Sequence, residues 1–215
     1  MSSDPADTTG ADDPEPRPYR MRRRADNVDA TRQRIVEAAV ELHGSIGPAE
    51  TTVFGIAELA GVTRATVYRH FPDETAIFAA CTAHWISGQR PPNIAGWADI
   101  AGAEQRLRFA LDDLYRFYRE GESMLRLVYR DFDHLPESRQ RELRARDAAI
   151  HNTLYAPYEE AGQGGPLVSA AIAHAGLFTT WRSLCIGGSL TNDQAVDLMV
   201  RLVKAAKPVA RRKSP

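Results

Sequence analysis

Apolar residues recur every three or four positions along most of the chain, and nowhere do they alternate with polar ones over the length of a strand. That pattern predicts helices throughout and no sheet. Ile35, Ala38, Ala39, Leu42 and Ile46 share one helical face between Asp29 and the breaker pair Gly47-Pro48. Two short helices are then predicted, Thr52 to Ala60 with Ile56, Ala57 and Ala60 inward, and Thr63 to Phe71, with Gly61 as the turn between them. Thr52 and Thr63 supply the hydroxyls that helix starts favour. Pro72 ends the third helix, and a fourth begins at Asp73 or Glu74 and reaches about Ser87. Residues 88–102, with Gly88, Pro91, Pro92, Gly96 and Gly102, read as a loop around Trp97. Beyond it the spacing predicts helices over 103–119, 123–129, 136–160, 167–186 and 192–206. The first of these carries Leu107, Ala110, Leu111, Leu114, Phe117 and Tyr118 on one face, and the last is capped by Thr191 or Asn192.

Composition divides these elements into units. Residues 1–28 hold Pro5, Pro14, Pro16 and Pro18 among polar residues and almost no large apolar side chain, so they are expected to form a disordered arm. Residues 29–72 form a first helical domain, 73–207 a second, and 208–215 a tail. The whole is expected to be all-α.

The formal net charge of −1 conceals segregation. Residues 1–16 contain five acids and no base, residues 17–24 contain five arginines and no acid, and residues 17–71 carry nine basic side chains against six acidic. A near-neutral total therefore does not exclude a nucleic-acid partner. Cys81 and Cys185 lie far apart, which argues against a disulfide framework or a zinc module. There is no run long enough for a membrane span and no basic-then-apolar leader, so the expected location is the cytoplasm. The six histidines show no metal-ligand spacing, and neither a nucleophile motif nor a phosphate-binding glycine loop occurs. No enzyme, cofactor or metal is expected.

The stretch from Thr51 to Phe71 carries the functional signal: two short helices joined by a tight glycine turn, the helix-turn-helix arrangement. Val53, Ile56, Ala57, Ala60, Val62, Val67 and Phe71 would pack the pair on the first helix, leaving Arg64, Thr66, Tyr68, Arg69 and His70 on the polar side. Such a helix fits the major groove of B-DNA, where an arginine can bond guanine bidentately. Hydroxyls and imidazole suit phosphate oxygens, which fix register without reading sequence. A buried helical corner with a solvated outer face would share this bare geometry.

The run I-A-x-x-A-G-V-T-x-x-T-V-Y-x-H-F at 56–71, followed by F-P-D-E-T-A-I-F, is far more specific than a corner. It resembles the tetracycline-repressor (TetR) family of homodimeric bacterial regulators. The similarity extends over about residues 31–80. The resemblance implies an N-terminal three-helix DNA-binding domain and a C-terminal helical domain for effector binding and dimerisation. It implies that Arg64 reads a base beside Ala65, which offers a methyl contact to thymine. Thr63 opens the recognition helix and Arg69 lies on its polar side. Thr66, Tyr68 and His70 would hold operator phosphates, with Thr52 aiming a helix N-terminus at another. Glu74 stands where the family usually has a lysine, so one phosphate contact is lost. Arg22, Arg23 and Arg24 in the arm either compensate from the minor groove or form a solvated linker. The function implied is a DNA-binding transcriptional regulator, a repressor released by a small hydrophobic effector. The competing reading is a helical ligand-binding protein or small-molecule enzyme with a vestigial helix-turn-helix.

In the second domain the resemblance is architectural only. Helices 167–186 and 192–206 are expected to form a homodimer, presenting Leu167, Ala170, Ala171, His174, Phe178 and Trp181 from one and Ala195, Leu198, Met199 and Leu202 from the other. An effector pocket among the central helices would draw on Tyr115, Tyr118, Tyr129, Phe178 and Trp181. Asp147 and His151, one helical turn apart, either supply its polar end or form a surface pair of Asp147 with His151 or Arg144.

Overall fold

The computed structural model describes residues 17–208, and side chains from residue 26 onward. The arm residues 1–16, the side chains of Arg22, Arg23 and Arg24, and the tail 209–215 lie outside the described residues. Within them are eleven α-helices and no strand: α1 (Arg17–Ser45), α2 (Val53–Leu59), α3 (Arg64–His70), α4 (Glu74–Ser87), α5 (Ile94–Trp97), α6 (Ala103–Glu120), α7 (Glu122–Arg130), α8 (Glu137–Glu160), α9 (Pro166–Ala175), α10 (Phe178–Arg182) and α11 (Asn192–Ala205).

Two cores and a bridge organise them. Ile35, Val36, Ala38 and Ala39 of α1 meet Val53, Ile56 and Ala57 of α2, Val67 of α3, and Ile77 and Cys81 of α4. The larger core lies among α6, α8, α9, α10 and α11, around Leu111, Tyr115, Leu154, Ile172, Trp181 and Val200. Between them Phe78 of α4, Met124 and Val128 of α7, Leu135, and Leu143 of α8 form a smaller cluster. Thus α4 belongs to both sides of the boundary drawn at residue 72.

Four expectations need correction. Helix α1 starts at Arg17, not Asp29, so residues 17–28 of the expected arm are helical. Its proline is at the second position, where no backbone N–H is required, and the Arg, Met and Ala that follow favour helix. The 88–102 segment is not a plain loop. Asn93 caps the four-residue α5 by accepting from the Gly96 amide, and Trp97 is fully buried with its indole N–H donated to Asp113 at 3.0 Å. Arg106 ties the same segment down by donating to the carbonyls of Ala98 and Ile100.

The expected helix 167–186 is broken in two. Leu177 adopts an extended backbone (φ −77°, ψ 139°) between α9 and α10. The hydroxyls of Tyr115 and Tyr118 donate to the carbonyls of Ala175 and Gly176 at 2.9 and 2.7 Å. A continuous helix would have used those carbonyls itself, so the two tyrosines replace the missing turn. After α10 the chain widens into a π-turn over Ser183–Gly187.

The last correction concerns the faces of these helices. Ala171, Phe178, Trp181, Ala195 and Met199 are buried in the protomer's own core and cannot form a dimer surface. Leu167, Ala170, His174, Leu198 and Leu202 remain exposed, and Leu177 joins them.

Candidate nucleic-acid interface

Each short helix of the motif is started by a threonine. Thr52, with extended backbone, accepts the Gly55 amide at 3.1 Å, and Thr63 accepts the Thr66 amide at the same distance. A seven-residue helix has little intrinsic stability, so a cap worth about 1 kcal/mol matters to it. Gly61, at φ +65°, makes the left-handed turn between them. Val67, wholly buried, and Phe71 anchor α3 on α1, and the Arg32 guanidinium lies 4.9 Å above the Phe71 ring.

With Val67 fixed inward, helical geometry dictates the rest. Arg64, Ala65, Tyr68 and Arg69 are exposed together, at i, i+1, i+4 and i+5 of α3. Thr66 and His70 are half-buried at its flank, and the Thr66 hydroxyl is engaged with that of Thr63 at 3.0 Å. Thr52 is exposed at the start of α2. Glu74 is exposed in the first turn of α4, which Asp73 caps by accepting the Ala76 amide at 2.8 Å. The structure therefore brings Thr52, Thr63, Arg64, Ala65, Tyr68 and Arg69 onto accessible surface of one small domain.

Sequence reasoning missed what holds this domain to the rest. Asp131, 5% exposed at the end of α7, accepts the Ala49 amide at 3.0 Å and two bonds from Arg130, at 2.6 and 2.9 Å. Arg130 also donates to the Ile46 carbonyl at 2.8 Å. This clamp grips the turn between α1 and α2, just before Thr51 and Thr52. The Arg130 bonds hold the Asp131 carboxyl below the usual carboxylate range. Gly47 in that turn has φ +98°, and a Cβ there would run into both Arg130 and Asp131. Only the glycine signalled the arrangement in sequence. At the same junction His43 contacts Cys81, Nδ1 to Sγ at 3.1 Å, inside the protein.

The residues assigned to an effector pocket separate. Tyr115, Tyr118, Phe178 and Trp181 are packed on one another in the core, and burial raises the pKa of both phenols, keeping them neutral. Tyr129 is half-buried, stacked on Phe178 at 5.0 Å and bonded to Arg146. Asp147 pairs with neighbouring Arg146 at 2.8 Å rather than with His151 or Arg144. His151 bonds Ser169 at 3.0 Å. Asp147 and His151 do share a cavity of about 230 Å³, with Ile150, Ile172, Ala173, Gly176 and Leu177. Among the described residues no group of three His, Cys, Asp or Glu is placed to hold a metal ion, and no helix is long and apolar enough to cross a membrane.

Residues 35–81 match the sequence profile of "Bacterial regulatory proteins, tetR family". In this segment the chain resembles the TetR family. The HTH-type transcriptional regulator TtgR of Pseudomonas putida is 42% identical over 60 residues, which are 28% of this chain and 29% of TtgR. The chain thus spans about three-tenths of that relative's length. Over the whole fold it is similar to a TetR-like regulator from Rhodococcus sp. RHA1, with TM-score 0.60 and 21% identity over 81% of this chain and 93% of the other. It is also similar to AibR in complex with isovaleryl coenzyme A and operator DNA, with TM-score 0.57 and 19% identity over 79% and 96%. These likenesses show the fold: an N-terminal helix-turn-helix domain carried on a C-terminal helical domain.

Proposed function

We propose that this chain is a cytoplasmic transcriptional repressor that binds operator DNA as a homodimer and is released by a small hydrophobic effector. The observation that carries the reading is the exposed quartet Arg64, Ala65, Tyr68 and Arg69 on one face of a capped helix whose opposite side is locked by Val67. Arg64 reads a base, Ala65 contacts a thymine methyl, and Tyr68 and Thr52 hold phosphates. AibR, of the same fold, is described with both an acyl-coenzyme A and operator DNA, which supports a regulator with two kinds of ligand. We take the cavity beside Asp147 and His151 as the place where an effector's polar group would be met.

The test is a binding selection on random duplexes. Arg64→Ala should lose about 1–3 kcal/mol of discrimination at one base pair per half-site, while Tyr68→Phe should weaken all sequences alike. An unchanged base preference in Arg64→Ala would remove the assigned role. Absence of any sequence-selective duplex binding by the full chain would remove the function.

A further inference from the structure

We propose that Phe54 is a further specificity-determining residue, whose ring packs on the methyl group of a thymine at the rim of each half-site. The inference rests on the proposed function and adds to it a base contact from α2, which otherwise meets only phosphate.

Phe54 is the second residue of α2 and follows the exposed cap Thr52 by two positions. It is 61% exposed, the largest fraction for any large apolar side chain among residues 29–72. Val53, Ile56 and Ala57 take the buried face of the helix, and Glu58 shares the exposed side with Phe54. Core packing therefore does not account for a phenylalanine here. Helix propensity does not either, since an aromatic residue is a mediocre helix former.

A single exposed apolar residue is ordinary on a protein surface. The place of this one gives it meaning. In a helix-turn-helix the first helix of the pair crosses the DNA backbone at the edge of the groove that the second enters. Thr52 and Phe54 belong to the same end of α2, so a phosphate held by Thr52 puts the ring against the same strand. Helical side chains lean toward the N-terminus, which carries the ring toward Thr52 and away from the Glu58 carboxylate. Gly55, next in the chain, adds no side chain to hold the strand off.

A phenyl ring has nothing to donate to a phosphate oxygen. The apolar groups within its reach are deoxyribose and the thymine methyl, which projects into the major groove. Covering a sugar would strip water from the phosphates on either side, a loss that the ring cannot replace. Covering the methyl removes apolar surface from water on both partners. The contact therefore reads thymine.

Binding selection on random duplexes with the full chain and with Phe54→Ala locates the base pair. The wild type should prefer thymine at one pair per half-site, distinct from the pair that changes in Arg64→Ala, and Phe54→Ala should lose that preference. Fluorescence anisotropy then tests the methyl itself, with that thymine replaced by deoxyuridine, which pairs alike and lacks only the methyl. The replacement should weaken the wild type about three- to fivefold, the worth of one buried methyl, and should leave Phe54→Ala unchanged. The slope of log affinity against log salt should be the same in both proteins, because no phosphate contact is lost. Circular dichroism melting confirms that the variant folds. Equal weakening of both proteins by deoxyuridine would overturn the contact. So would a loss in Phe54→Ala that is uniform over all sequences, which would put the ring on the sugar, or a flatter salt slope, which would make it a support for phosphate contacts. Selection by the full chain with an unchanged preference in Phe54→Ala overturns this inference alone. Failure of the full chain to select any sequence overturns the function and this inference together.

Discussion

His43 is 6% exposed, stacked near Phe78 and in contact with the Cys81 thiol. Burial lowers its pKa from the ordinary 6.5 to about 4 and pushes the thiol up to about 12, so at neutral pH both are uncharged. In the unfolded chain the imidazole takes its proton near pH 6.5, whereas the folded chain resists until about 4. Stability from this residue is therefore intact above the upper value and lost as pH falls between the two. From pH 7.5 to pH 5 that loss is about 2 kcal/mol. Urea denaturation of the wild-type chain and of His43→Gln at both pH values should show the wild type losing that much more than the variant. The slope with pH, not the absolute stability, is the readout. Little of this was legible in sequence: His43 and Cys81 are 38 positions apart, and only packing of α1 on α4 makes them neighbours. The same holds for Tyr118, whose spacing places it on the inner face of a helix, and for Tyr115, which the sequence marks only as a pocket candidate. Nothing local could show that their hydroxyls are consumed by the carbonyls of α9 rather than offered to a ligand.

The clamp at the end of α7 acts on an element, the turn joining α1 to α2. Asp131→Ala would leave the Ala49 amide and the Arg130 guanidinium without their acceptor and should cost about 2 kcal/mol, little of it from the exposed arginine. Gly47→Ala should cost at least as much, because it combines a left-handed backbone with a side chain driven into Arg130 and Asp131. Both variants should also weaken operator binding evenly across sequences, since Thr51 and Thr52 lose their support while Arg64 keeps its orientation. Chemical denaturation and a titration against two operator sequences check this. Helices with a good cap, such as α2, α3 and α11, or with strong periodicity, such as α6, were legible within a residue or two. Short elements were not. The four residues of α5 exist because Asp113 and Arg106 hold them, and the break at Leu177 exists because α6 supplies donors there. In both cases the deciding atoms belong to another helix, and a local pattern carries no trace of them.

At the scale of the whole molecule, Leu198 and Leu202 lie one turn apart on α11, with Leu167 and Leu177 at the ends of α9, all exposed. They are the apolar surface on which a two-fold dimer can form, and a Leu198→Glu, Leu202→Glu double variant should scatter light as a monomer at micromolar concentration where the wild type scatters as a dimer. The operator should then be a pseudo-palindrome with half-sites one helical turn apart or a multiple of it, which a footprint would reveal. A different property of the assembly follows from α4. One helix supplies Ile77 and Cys81 to the first core and Phe78 to the bridging cluster, so neither domain can lose its structure without opening the other. The chain should melt as one cooperative unit, its calorimetric enthalpy equal to the van't Hoff value. A fragment ending at Pro72, which keeps every side chain of the reading head but lacks the wall made by α4, should show no cooperative transition. The proposed DNA-reading head should therefore not fold as an autonomous module, and any strain placed on α4 would draw on the free energy of folding itself to change how the head is held.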